Sequence, residues 1–251
     1  MTPLAPAFLE RPLAHRSLHD KAASAEENSV SAFQRAIDRG YGIELDVRPS
    51  SDGRAMVFHD PELGRMTAET GIVREVTSGD LGKIRLGGGA DFIPTLQDVL
   101  ALVRGRVPVL VEIKDPDGTL SAKTGAVEED VARAVKAYEG PVAVMSFNPN
   151  MVAEVRRLAP DVAIGLVTCD FSEMFWPQLA GGRREQLASL QEVEGVGASF
   201  ISHARTDLAS DKVAAVKKAG LPVLCWTVRT PAQEAEARKV ADNITFEGYL
   251  A

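Results

Sequence analysis

Short runs rich in β-branched residues alternate with stretches of helical periodicity along most of this chain, and that rhythm constrains the fold more than any other feature. The runs predict strands at Pro12–Arg16, Gly42–Arg48, Val107–Lys114, Val142–Phe147, Ala163–Thr168, Ala198–His203, Pro222–Val228 and Asn243–Phe246. Helices are predicted at Val30–Arg39, Thr95–Val103, Val127–Tyr138, Asn150–Leu158, Asp211–Ala219 and Pro231–Val240. Gly and Pro punctuate the helix-to-strand turns, as in Gly140-Pro141 and Gly220-Leu221-Pro222. Strands separated by helices imply βαβ units and a parallel sheet. Eight of them can close into an α/β TIM (β/α)8 barrel, and the 251 residues fit the size of that fold. One segment breaks the rhythm. Residues 49 to about 94 hold a short apolar run, clusters of Pro and Gly, and Gly87-Gly88-Gly89. It reads as a small insertion after the second strand, within a single domain spanning residues 1–251.

Composition narrows the function classes. The chain is 45% hydrophobic and 25% charged, enough apolar material for a sizeable core. Its formal net charge of −7, with no basic arm and no Lys/Arg run, argues against nucleic acid as a partner. An anionic small molecule would have to be held locally, by a metal or a few placed cations. No apolar run is long enough to span a membrane, and MTPLAPAFLERPLAHR lacks the basic-then-apolar order of a signal peptide. These features predict a cytoplasmic protein without a stable membrane anchor, and they leave its oligomeric state open. Cys169 and Cys225 sit inside apolar runs and read as buried small hydrophobes.

In a parallel barrel the chemistry belongs at the C-terminal ends of the strands. Polar residues gather there: His15 and Arg16, Glu44 and Asp46, Glu112 and Lys114, then Ser146, Asn148, His203 and Trp226. Side chains alternate along a strand, so Glu44 and Asp46 share a face, as do Glu112 and Lys114. Carboxylates buried together are costly, and a divalent cation would relieve the cost. Oxygen-only ligands suit Mg²⁺ or Ca²⁺ better than Zn²⁺. Ion pairing of Glu44 and Asp46 with Arg16 and Arg48 is the competing reading, and spacing does not separate the two. His15 and His59 can exchange protons near neutral pH. Arg16 could fork onto a phosphate, and Lys114 could offer a point charge. His203 has the plainer reading of a rim residue, and Trp226 that of a core residue. The stretch CDFSEMFWPQL, 169–179, carries Phe171, Met174, Phe175 and Trp176. It reads as a lipid-facing stripe near the mouth or, favoured by its spacing, as a helix face packed on the barrel.

Taken together, AHRS (14–17), EENSVSAFQRAIDRG (26–40), IELDVRPSSDGRAMVFHDPELGRMTAETGIV (43–73), PTLQDVL (94–100), VEIK (111–114) and CWTV (225–228) resemble the glycerophosphodiester phosphodiesterase family. The resemblance implies a TIM barrel with a small insertion after the second strand. It implies hydrolysis of a small phosphodiester to glycerol phosphate, or a similar phosphomonoester, and an alcohol. His15 and His59 match the family's general acid and base. Glu44, Asp46 and Glu112 match its ligands for one divalent cation, Mg²⁺ or Ca²⁺. Arg16 matches the arginine that contacts the phosphate, Lys114 a lysine beside the substrate, and Trp226 joins the substrate-binding set. The attacking group would be water or the substrate's own glycerol hydroxyl. The chain departs from the pattern at Ser17, where the family usually has Gly, at Glu26-Glu27-Asn28 in place of Pro-Glu-Asn, and at Thr245-Phe246 in place of Thr-Asp. These departures bear on loop geometry and substrate preference.

Overall fold

A computed structural model describes residues 2–251. Its centre is a closed barrel. The strands are β1 (Leu13–Ala14), β2 (Gly42–Pro49), β3 (Ala55–Val57), β4 (Val109–Ile113), β5 (Val142–Ser146), β6 (Ala163–Thr168), β7 (Phe200–Ala204), β8 (Val223–Val228) and β9 (Asn243–Phe246). All but β3 are parallel to their neighbours, and β1 pairs with both β2 and β9 to close the ring. The eight-stranded parallel barrel expected from the alternation is therefore present, with β3 as an additional antiparallel strand on β2.

Alternation sorts the side chains. Ile43, Leu45 and Val47 of β2 and Val109, Val111 and Ile113 of β4 pack outward against Phe33, Leu96, Val99, Val131 and Val155 of the surrounding helices. Between them, Glu44, Asp46, Leu110 and Glu112 turn inward. The lower barrel is filled by Leu13, Leu110, Ala143, Ala163, Phe200 and Leu224, and Leu4 and Phe8 of the N-terminal segment belong to the same cluster. Asn243 Nδ2 donates to Phe8 O and Arg11 O, which fastens that segment to β9. Gly165 of β6 makes room for the Phe200 ring, because any Cβ there would run into it.

The first strand is shorter than the sequence predicts. Arg16 and Ser17 adopt φ of +51° and +68°, which turns the chain out of the sheet directly after His15. The left-handed conformation at Ser17 is one that glycine adopts without steric cost, which fits the glycine that the family resemblance implies there. The segment after β2 returns through β3, a 3₁₀ turn at Val73–Glu75 and a one-turn helix at Ser78–Leu81. It carries a small apolar cluster of its own, with Met56, Phe58, Leu63, Met66, Val73, Leu81, Leu86 and Ile93. Residues 169–179 do not form the helix face that their spacing favours. They are turn and loop: Phe171 is buried, while Met174 and Phe175 are 81% and 74% exposed. Two helices missed in the sequence follow, at Gly181–Ala188 and Glu192–Gly195. Both cysteines are buried, which pushes their thiols up to about 11 for Cys169 and about 12 for Cys225. No helix among the described residues is long and apolar enough to cross a membrane.

Phe200 is the largest side chain filling the barrel interior, so Phe200→Ala should cost about 3–5 kcal/mol of stability. A urea unfolding curve measures this, and an unchanged midpoint would show that the interior packing does not depend on it.

Candidate active site

Register brings the polar strand ends together. Ala14 lies beside Ile43, and Asp46 lies beside Glu112, so His15, Glu44, Asp46 and Glu112 meet at the C-terminal mouth. The antiparallel return of β3, with Val57 opposite Val47, and a bond from Phe58 N–H to Asp46 O (3.0 Å) bring His59 back to the same level. A cavity of about 190 Å³ opens there, lined by His15, Arg16, Glu44, His59, Glu112 and Lys114 on its polar side. Met145, Phe147, Trp226, Thr227, Arg229 and Thr245 complete the wall.

Glu44, Asp46 and Glu112 are all buried, and each offers an oxygen within 4.8 Å of the others. Burial and the neighbouring charges of Asp46 and Glu112 push the Glu44 carboxyl well above its ordinary range. Glu44 nonetheless accepts a bond from the Arg16 backbone N–H (2.8 Å). Burial also raises Glu112, against the pull of Lys114, with which it is paired. Asp46 goes the other way. Burial opposes its ionisation, but Lys114, His59 and Arg16 hold it well below the usual carboxylate range. Its Oδ2 accepts from Asn28 Nδ2 (3.0 Å) and lies 3.5 Å from Arg16 Nε. Its Oδ1 sits 2.8 Å from Lys114 Nζ. Lys114 is buried too, and Asp46, Glu112 and Glu44 together keep it charged by raising its pKa against that burial.

Three carboxylates thus face one lysine and one arginine. An all-oxygen cluster of this span suits a hard divalent cation. Arg48 makes no ion pair with the cluster among the described residues, although burial lowers its pKa against the opposing charges of Asp46, Asp60 and Glu112. Its Nε donates to the His59 backbone carbonyl (2.6 Å) and braces that loop. Of the ion pairs considered from the sequence, only that of Arg16 with Asp46 forms; Arg16 meets Glu44 through its backbone N–H.

The two histidines are held alike. His59 Nδ1 lies 2.6 Å from Asp60 Oδ1, and Arg65 ties Asp60 to Glu27. Burial pushes His59 down to about 4; Lys114 and Arg16 add to this, while Asp46 and Asp60 oppose it. His15 Nδ1 lies 2.5 Å from Glu247 Oε2. Arg16 Nη1 donates to Glu27 (3.0 Å). Glu247, Glu27, Asp60 and Arg65 are contacts that motif reading missed. For Glu247 the signal was present in the inward alternation of Asn243, Thr245 and Glu247.

The remaining strand-end residues are accounted for by structure. His203 is fully buried, between Thr168 Oγ1 (2.8 Å) and Asp207 (3.2 Å), and does not line the cavity. Ser146 Oγ donates to Ile113 O, and the Asn148 side chain caps the helix Pro149–Leu158. Trp226 lines the cavity, donates from Nε1 to Ser202 O (3.0 Å), and meets Phe147 edge-on at 5.6 Å.

Residues 15–243 match the model of the glycerophosphoryl diester phosphodiesterase family. The chain belongs to that family. A glycerophosphodiester phosphodiesterase of Caldanaerobacter subterraneus is 35% identical over 164 residues, 62% of this chain and 65% of that one. The chain therefore spans just under two thirds of that relative's length. Glycerophosphodiester phosphodiesterase 1 of Bos taurus is 26% identical over 246 residues, covering 87% of this chain and 71% of its own. Among solved structures, a phosphodiesterase of Oleispira antarctica in complex with the product sn-glycerol-3-phosphate has the same fold. Its TM-score is 0.78 at 21% identity, over 96% of this chain and 94% of that one.

Lys114 is the cation in contact with both Asp46 and Glu112, so removing it leaves uncompensated buried charge. Without added divalent metal, Lys114→Met should lower stability by about 3–5 kcal/mol. Urea unfolding in EDTA tests this, and a wild-type midpoint would mean that the carboxylates are not ionised together.

Proposed function

We propose that the chain hydrolyses glycerophosphodiesters to sn-glycerol 3-phosphate, or a similar phosphomonoester, and an alcohol. The observation that carries this reading is the meeting of His15 and His59, each backed by a carboxylate on Nδ1, with Glu44, Glu112, Arg16 and Lys114 around one cavity. The reading takes the chain as one catalytic domain, with residues of about 49–94 as an insertion that delivers His59. Glu44, Asp46 and Glu112 would hold one divalent cation, Mg²⁺ or Ca²⁺. A bound cation supplies charge that polarises the phosphoryl oxygens and offsets the negative charge developing on them.

The chain's own groups do the rest. Arg16 and Lys114 bind and orient the phosphate oxygens. One histidine takes, through Nε2, the proton of the attacking O–H, from water or from the substrate's own glycerol hydroxyl, as the new P–O bond forms and the P–O bond to the leaving alcohol breaks. Where the glycerol hydroxyl attacks, a cyclic phosphate forms first and water then opens it to the phosphomonoester. The other gives a proton to the departing alkoxide. Phe147 and Trp226 form an apolar wall that limits water on that side.

One observation favours an alcohol bearing an apolar chain as the leaving group. Trp226 and Phe147 contact each other on the cavity wall. Phe147 in turn contacts Phe171 and Trp176 at 6.1 and 5.1 Å, and the loop that carries them exposes Met174 and Phe175. On this second reading a lysophospholipid would be the preferred phosphodiester. Met174→Ser with Phe175→Ser should then reduce kcat/KM on lysophosphatidylcholine and leave glycerophosphocholine untouched. Equal effects on both, or on neither, would remove the lipid preference.

The main reading is tested on glycerophosphocholine by measuring released glycerol phosphate. His15→Ala and His59→Ala should each lower kcat by about 10²–10⁴-fold. EDTA should abolish turnover, and Mg²⁺ or Ca²⁺ should restore it. Adding either ion should also raise the unfolding temperature of the wild type but not of Glu44→Gln. Full turnover by either histidine variant removes the acid–base assignment, and full turnover in EDTA removes the cation.

A further inference from the structure

One carboxylate at the mouth, Glu247, lies outside the ligand set and outside the residues matched by resemblance. Along β9 the inward positions are Asn243 and Thr245, and the next is Glu247. Ala14 of β1 is registered against Phe246, so the following residues, His15 and Glu247, face each other across the seam of the barrel. His15 N–H donates to Phe246 O (2.8 Å), and Glu247 N–H donates to Val228 O (3.0 Å). Both side chains therefore leave from backbone held by neighbouring strands. They meet with His15 Nδ1 2.5 Å from Glu247 Oε2, and both are largely shielded from solvent.

The other oxygen of Glu247 is also committed. Oε1 accepts from Arg229 Nε at 2.6 Å, and His19 Nε2 stands 3.8 Å from Oε2. Burial opposes the charge on Glu247, but His15, His19 and Arg229 outweigh it and hold the carboxyl well below its usual range. An ionised carboxylate can only accept a hydrogen bond. The proton of neutral His15 is then drawn to Nδ1, and the lone pair is left on Nε2. When Nε2 takes a proton, the same carboxylate faces the imidazolium that forms.

Phe246, between the inward Thr245 and Glu247, turns outward and packs edge-on against Tyr41 (4.9 Å) and Tyr249 (5.5 Å).

We propose that Glu247, clamped by Arg229, is the positioning residue of His15. It fixes the Nδ1–H tautomer and the ring orientation, so that Nε2 exchanges the proton with the phosphodiester. The catalytic part of this inference rests on the acid–base role assigned to His15 above. The near-isosteric Glu247→Gln tests it in two measurements. The first needs neither substrate nor metal: ¹⁵N–¹H correlation spectra of the histidine rings, assigned with His15→Ala. The wild type should show His15 protonated at Nδ1, and Glu247→Gln should show a shift toward mixed tautomers. The second is steady-state kinetics on glycerophosphocholine. Glu247→Gln should lower kcat by about 10²-fold, within the range of a lost proton-transfer group. KM should stay within about twofold and the urea midpoint should not move, whereas a merely structural role would shift the midpoint. An unchanged His15 tautomer overturns the proposal, and so does a kcat within about twofold of wild type. Failure of the wild type to hydrolyse any glycerophosphodiester would overturn the reading of the site instead, with the ring spectra still deciding whether Glu247 sets the tautomer.

Discussion

Closing a parallel barrel imposes one constraint on everything else: every second side chain of eight strands must go inside. Low in this barrel the inward positions are apolar and fill the space, with Phe200 set against Gly165. Towards the C-terminal mouth the same positions become Glu44, Asp46, Glu112 and Lys114. Nothing but the strand period is needed to bring these groups together, because β2 and β4 are adjacent and in register at Asp46 and Glu112. The carboxylate cluster is thus an upward continuation of the core, carried by strands, while Arg16 and His59 reach it from the turn after β1 and the segment after β3.

That placement has an electrostatic cost, met by cations drawn from separate parts of the chain. Lys114 comes from the end of β4 and Arg16 from the turn after β1. Arg16 leaves the strand at a left-handed residue, and its backbone N–H reaches Glu44 while its guanidinium reaches Asp46 and Glu27. The raised Glu44 and the lowered Asp46 are two results of one arrangement. Asp46 has the lysine and arginine close by, whereas Glu44 has mainly other carboxylates for neighbours.

The barrel and the gathering of His15, Glu44, Glu112 and Lys114 at its mouth were legible in the sequence from periodicity and from residues at strand ends, whereas the roles of these residues and the place of His59, on the irregular segment, came from the family resemblance. Three things were not legible. The length of β1 depends on the positive φ of Arg16 and Ser17, which no hydrophobic pattern reveals. The loop at 169–179 has aromatic residues at helical spacing, but Phe171 and Trp176 are taken up by tertiary contact with Phe147. Glu247 lies beyond the last apolar run, so its partner could be identified only once β9 was set against β1. His203 shows the opposite case, a histidine at a strand end whose ring is used up by Thr168 and Asp207.

β1 is only two residues long, yet it is the seam at which the ring closes, and His15 follows directly from it. So short a strand contributes few ladder hydrogen bonds. Regions poor in such bonds open at lower free energy than the molecule as a whole. The ring thus has its shortest strand where His15, one of the two cavity histidines, is attached. A brief parting of β1 from β9 would separate His15 from Glu247 while most of the remaining strands stayed paired. Ring closure and the contact of His15 with Glu247 thereby share one seam.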